Sequence, residues 1–290
     1  MLSKVPHDTV RKMDMMINSD QPIGVLDSGV GGLSVLKAIR SQLPDEDVLY
    51  LGDQAHVPYG PRAQEQIKEF SAGITQFLLE QGAKLIVVAC NTASAAALHD
   101  LRKIFPEVPF VGMEPAVKPA AETTKTGKVG VLATPTTFAG DLYASVVERF
   151  GQHVEIYQST CPGLVEQIEI GDLESPEIYR ILNDALRPML EAQIDTIVLG
   201  CTHYPFVIPV IQSITGSGIR TIDPAPAVAR QVTRLLEQHE CLNLSQIKGE
   251  VNVFTSGDPD YLNAILPHLL GEVAEIEPVH WVENYLVKGR

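Results

Sequence analysis

No run in this sequence is long and apolar enough to cross a bilayer, and the opening MLSKVPHDTVRKMDMMINSDQP lacks the apolar core of a secretory signal. Positive charge is also scarce: 22 Lys and Arg stand against 36 Asp and Glu, a formal net charge of -14. Nucleic-acid backbones and anionic lipid repel such a chain, so neither a nucleic acid nor a membrane is expected as a partner. A small anionic ligand is not excluded, because local amides and hydroxyls can outweigh the global field. The four cysteines, Cys90, Cys161, Cys201 and Cys241, lack the close spacing of a zinc or iron–sulfur site, and no Cys-x-x-Cys redox pair occurs. A disulfide framework is not expected in a chain of 290 residues with a sizeable core. The expectation is a cytoplasmic protein with free thiols and no metal.

What is present is alternation. QPIGVLDSGVGG holds a short apolar strand, an Asp-Ser break and glycines that open the helix LSVLKAIRSQLP. DVLYLGDQAHVPYG supplies a second strand and a turn-rich loop. AQEQIKEFSAGITQFLLEQGA has helical spacing through Ile67, Phe70, Ile74, Phe77 and Leu78 and stops at Gly82. KLIVVAC, the helix TASAAALHDLRKIF and the strand VPFVGM follow. Strands and helices in this order predict an α/β protein with mostly parallel sheets flanked by helices. The pattern then restarts: GKVGVLATPTTFAG echoes the opening strand, DTIVLGC echoes KLIVVAC, and IRTIDPAPAVARQV echoes VPFVGMEPAVKPAA. Three paired phrases in one order predict two pseudo-symmetric lobes.

Ligands in α/β sheets gather beyond the carboxyl ends of the strands. Those ends carry DSG, DQAHVPYG, CNT, ATPTT, CPGLVE and CTH, a polar set with almost no lysine or arginine. A lone cysteine at a strand end is most simply a buried, inert residue. Cys90 and Cys201 occupy matching positions in the repeat, however, and would flank one cleft if the lobes face each other. Two thiols on opposite sides of a substrate suit proton transfer at one stereocentre, since a thiol titrates near neutrality; the same pair also fits a redox couple. His203 is placed to favour a Cys201 thiolate, and Asp27 to orient a thiol or receive an amino group. Each has a plainer reading, Asp27 as a helix cap and His203 as a loop residue. Glu166 reads either as a first-turn helix acid or as an acid facing the cleft. DSGVGG lacks the register of the dinucleotide and phosphate-loop motifs, so its glycines are read as a tight turn and a close approach of backbone to ligand. Ser28, Asn91, Thr92, Thr137 and Thr202 read as carboxylate donors near helix starts, and Tyr59 with Gly60 as a loop closing over the ligand. Cys161 marks a helix start, and Cys241 is given no role.

DSGVGG, VPYG, VVACNTAS, LATPTT, LVE, VLGCTHYP and TSGDP, in this order from about residue 22 to 260, resemble the glutamate racemase family. The resemblance implies a cofactor-independent enzyme that interconverts L- and D-glutamate and supplies D-glutamate for bacterial peptidoglycan. It implies an active site between the lobes, with a first lobe at 22–115, a second at 116–224 and a return segment at 225–290 completing the first, whose last strand leads into TSGDP. By the same resemblance Cys90 takes the α-proton from D-glutamate and Cys201 from L-glutamate. Asp27 assists near Cys90, with His203 and Glu166 nearer Cys201. Ser28, Tyr59, Gly60, Asn91, Thr92, Thr134, Thr137, Thr202, His203 and Asp27 would hold the substrate. Family members are commonly homodimers. Gln54 departs from the pattern, which often has a small residue there, as does the sequence around Pro135 and Phe138. The extension at 1–21 raises the question of activation by a UDP-muramyl peptide precursor, as in some Gram-negative relatives. The competing readings are an aspartate or related amino-acid racemase, a non-catalytic two-lobed binder of acidic amino acids, and a thiol oxidoreductase.

Overall fold

The computed structural model describes residues 18–289. Most of the expected extension, with any activator contact on it, therefore lies outside the described residues. The first half of the chain runs β1 (Ile23–Asp27), α1 (Leu33–Gln42), β2 (Val48–Gly52), α2 (Gln64–Glu80), β3 (Leu85–Val88), α3 (Asn91–Ile104) and β4 (Phe110–Gly112). The second runs α4 (Val117–Thr123), β5 (Lys128–Ala133), α5 (Pro135–Ala139), α6 (Asp141–Phe150), β6 (Glu155–Ser159), α7 (Leu164–Glu169), α8 (Pro176–Glu191), β7 (Thr196–Gly200), α9 (Ile208–Thr215) and β8 (Arg220–Ile222). It closes with α10 (Ala225–Gln238), β9 (Val251–Thr255), α11 (Pro259–Leu270), β10 (Glu275–Val282) and β11 (Tyr285–Lys288).

Within the first sheet the strands lie in the order β2-β1-β3-β4, and the second sheet has the order β6-β5-β7-β8. These are the same arrangement, all parallel, and they give the sequence repeat its physical meaning. Every residue of β1, β2, β3 and β7 is buried. Helices cover both faces of these strands, so they read as continuous apolar runs rather than alternating ones. The helices bury one stripe each. In α8, Ile178, Ile181, Leu182, Ala185, Leu186 and Met189 face inward, while Ser175 caps the first turn by accepting the Ile178 N–H.

The two halves exchange helices. The chain leaves β4 into α4, which packs on β5, β7 and α6 of the second sheet; it leaves β8 into α10, which packs on α1 and β4 of the first. One continuous core consequently includes Val25 and Leu36 from the first sheet layer and Leu132, Ile178 and Leu199 from the second. No helix among the described residues is long and apolar enough to cross a membrane.

Two sequence expectations are corrected. The strand leading into TSGDP, β9, is not the last: it pairs with β2, and β10 and then the antiparallel β11 extend the same sheet to seven strands. β10 reads EIEPVHWV and is largely exposed or half-buried, so it has no apolar run to announce it, and its proline argues against a strand. The third strand was expected to reach Cys90 but ends at Val88, and Cys90 instead caps α3.

Candidate active site

Ser28 follows β1, Cys90 to Thr92 follow β3, Thr134 follows β5, and Cys201 to Tyr204 follow β7. All of them line one cavity of about 210 Å³, closed on one side by Pro58 to Pro61. That is small beside the roughly 300–1,000 Å³ of pockets for drug-sized ligands, and it suits a compact ligand such as an amino acid. Cys90 and Cys201 both face this space, and each is buried. Among the described residues, His203 is the only basic side chain in the lining.

The two thiols have different surroundings. The Cys90 Sγ accepts the Ala93 N–H at 3.4 Å, at the start of a helix, and donates to the Ser28 hydroxyl oxygen at 3.7 Å. Burial, followed by the nearby Asp27 carboxylate, pushes the Cys90 thiol up to about 12, so in this state it holds its proton. The Cys201 sulfur lies 3.8 Å from His203 Nδ1. His203 Nε2 donates to Glu169 Oε1 at 2.6 Å. Burial disfavours the imidazolium, but the hydrogen bonds to Cys201 and Glu169 outweigh it and hold His203 well above the usual histidine range. Burial likewise works against the Glu169 carboxylate, yet His203, the Val30 N–H and Gln54 together keep its pKa below the ordinary value. Among the described residues, Cys201 therefore has a cation beside it and Cys90 has none.

Glu169, not Glu166, is the carboxylate on His203. Glu166 lines the cavity from the exposed side of α7, while Glu169 sits one turn further along the same helix. The signal for it was the three-residue spacing itself, which places both acids on one helical face. The Glu169 Oε1 also accepts the Val30 N–H at 2.8 Å, crossing from the second lobe to the first.

That crossing explains two of the three glycines of DSGVGG. A Cβ at Gly29 would run into the Glu169 carboxylate, and one at Gly31 into His203 and Thr202. The close approach is to the opposite lobe's acid–imidazole pair rather than to a ligand. Asp27 is fully buried and does not line the cavity: Oδ1 accepts the Gly29 N–H at 2.9 Å and Oδ2 accepts the Thr202 hydroxyl at 3.1 Å. Burial is also the main reason that its pKa is raised. Its contacts make it a strut between the loop after β1 and the Cys201 segment, where the sequence suggested a substrate contact.

The expected substrate holders converge in part. Both polar atoms of the Asn91 side chain are buried without a partner among the described residues, and the residue lines the cavity. An orphaned amide of this kind costs about 1–3 kcal/mol unless something satisfies it, which points to a polar ligand. Thr92 and Thr134 join hydroxyls across the lobes at 2.9 Å, and Thr134 joins Thr137 at 3.0 Å. Thr137 stands behind Thr134, outside the lining. The Tyr59 hydroxyl is committed to Asp53 at 2.7 Å, so residues 59 and 60 can offer a ligand only their backbone and ring surface. Asp53 also accepts from Ser256, Trp281 and His56. Cys161, read from sequence as a mere helix start, lines the same cavity, with its thiol pushed up to about 12 by burial first.

A family model described as Asp/Glu/Hydantoin racemase matches residues 23–232. The chain belongs to that family. A glutamate racemase of Roseiflexus sp. (strain RS-1) is 49% identical to this racemase over 247 residues, 85% of this chain and 91% of its own length. Among solved structures, a glutamate racemase isoform of Bacillus anthracis superposes with a TM-score of 0.81 at 30% identity, covering 92% of this chain and 100% of that one. The Escherichia coli glutamate racemase, solved with L-glutamate and the activator UDP-MurNAc-Ala, superposes with a TM-score of 0.80 at 32% identity, covering 90% of this chain and 99% of that one.

Proposed function

We propose that this racemase inverts glutamate at its α-carbon with Cys90 and Cys201 as opposed acid and base, supplying D-glutamate for peptidoglycan. The observation that carries the reading is that two thiols, from equivalent strand ends of two lobes with one strand order, line a single small cavity. From L-glutamate, Cys201, with the His203 imidazolium beside it, takes the α-proton. Cys90, held as a neutral thiol, delivers a proton to the opposite face. From D-glutamate the two exchange roles. An amino-acid α-proton is a much weaker acid than a thiol, so the site must stabilise the carbanionic charge as it develops. The Asn91 amide, the Thr92 and Thr134 hydroxyls and the backbone N–H groups at the start of α3 are the donors for the carboxylates, the Thr202 hydroxyl being given to Asp27. No step in this scheme requires a cofactor.

Incubation with L-glutamate in deuterium oxide tests it: racemisation with α-deuterium incorporation is expected, and absence of both rejects it. Cys90→Ser and Cys201→Ser should each lose turnover in both directions; loss in one direction only would contradict the two-base scheme. Faster turnover of aspartate than of glutamate would favour the related racemase reading. The resemblance also carries three weaker proposals: a cytoplasmic location, a homodimer and activation by a UDP-muramyl precursor. The last is motivated by the activator bound in the E. coli structure. Fractionation, sedimentation and the rate response to added UDP-MurNAc-Ala test them in turn.

A further inference from the structure

We propose that Gln54 is a positioning residue for the Cys201 half of the reaction, clamping the Glu169 carboxylate across the lobe interface and thereby fixing His203; this rests on the racemase reading above. Gln54 follows Asp53 in the loop after β2 and does not line the cavity. Its Oε1 accepts the hydroxyl of Thr255, at the end of β9, at 2.7 Å. With the amide oxygen engaged there, the amide nitrogen is turned toward the second lobe, where it donates to Glu169 Oε2 at 3.2 Å. Thr255 is fully buried and itself accepts the Gly257 N–H at 3.0 Å, so the anchor is fixed.

The Glu169 oxygens are unequal in this arrangement. Oε1 takes both His203 Nε2 and the Val30 N–H, whereas Gln54 is the donor to Oε2 among the described residues. Without Gln54 the carboxylate is held at one oxygen and can rotate about that contact, taking His203 with it. Apart from His203, the titratable groups facing Glu169 among the described residues are Asp27 and Tyr50 from the first sheet and Tyr261 from α11. None of these supplies a second positive charge. Gln54 is also one of the positions at which the sequence departs from the resembled pattern, so the clamp is not part of the motif set.

The test uses the full chain with two variants. Gln54→Met keeps the side-chain length without the donor; kcat should fall about tenfold, as expected for a lost hydrogen bond to a charged group. KM for both enantiomers should stay within about twofold, because the residue does not touch the ligand. Gln54→Glu sets two carboxylates against each other. At low pH they share a proton and the donor is restored; as pH rises the proton leaves and the pair repels. Its kcat should therefore fall with rising pH on a limb that wild type and Gln54→Met both lack. If Gln54→Met keeps wild-type kcat, or the Gln54→Glu profile parallels wild type, the clamp is refuted while the racemase reading stands. If the wild-type protein itself does not racemise glutamate, both fall together.

Discussion

Replacing Gly31 by alanine tests the lobe contact directly. Gly31 does not adopt a left-handed backbone, so alanine is not excluded by its own conformation; the obstacle is the opposite lobe. An added Cβ would sit 2.6 Å from His203 Cε1 and 2.6 Å from Thr202 Oγ1, where ordinary contact begins at 3.4 Å. Restoring contact distance needs a displacement of about 1 Å, and the imidazole is pinned by Glu169 on its far side. A misplacement of that size costs on the order of 10²-fold in rate, with an overpacking penalty of about 1–3 kcal/mol in stability. The assay is racemisation by circular dichroism from both enantiomers, with thermal melting on the same samples. L- and D-glutamate have equal free energies, so kcat/KM must fall equally in the two directions. Asymmetry must appear instead in the α-deuterium isotope effect, larger with deuterated L-glutamate because Cys201 makes that transfer. A folded Gly31→Ala protein with wild-type kcat would refute the reasoning.

Other perturbations have definite expectations. Glu169→Gln removes the anion that keeps His203 charged, so the variant should lose roughly 10- to 100-fold in kcat, increasingly as pH rises through the ordinary histidine range. The His203–Glu169 pair also predicts a stability window. The raised His203 contributes stability that is full below about pH 6.5 and lost as pH rises through its folded value. The lowered Glu169 contributes stability present above about pH 4.5 and lost as pH falls through its folded value. Urea melts of wild type and Glu169→Gln should therefore differ most between those limits; a pH-independent difference would count against the ion pair. Lys84 is fully buried, paired with Glu46 at 2.6 Å and bonded to the carbonyls of Ser19 and Cys241. Lys84→Met strands the Glu46 carboxylate and should cost about 3–5 kcal/mol of folding stability, read as a lower melting temperature with kcat retained in the folded fraction. A loss below about 1 kcal/mol would show that the pair is dispensable.

The features legible in the sequence were those carried by runs and repeats. The continuous burial of β1, β3 and β7 left unbroken apolar stretches, and the shared strand order left paired phrases, so the lobes and the two thiols could be located without coordinates. Asn91, Thr92, Thr202 and His203 followed because they adjoin those strand ends, and Thr134 came from the family resemblance. What escaped depended on contacts between segments distant in the chain. Glu169 looked like any helix acid until His203, 34 positions away, came within hydrogen-bond reach. Asp27 resembled a substrate contact because its full burial depends on the second lobe. Gln54 looked like an ordinary departure, and its meaning lies in Thr255 and Glu169, which no local pattern connects to it. β10 and β11 were missed for the opposite reason: strands this exposed, one of them at the sheet edge, carry too little apolar signal to register.

The exchange of α4 and α10 between the sheets has a consequence for how the molecule can be cut. A protease that severs the chain once, between β4 and α4 or between β8 and α10, leaves the C-terminal piece still packing α10 on α1 and β4 and pairing β9 with β2 of the N-terminal piece. The fragments should stay associated and the cavity intact until both connections are broken. The active site is thus built between two lobes that a single break in the chain does not separate.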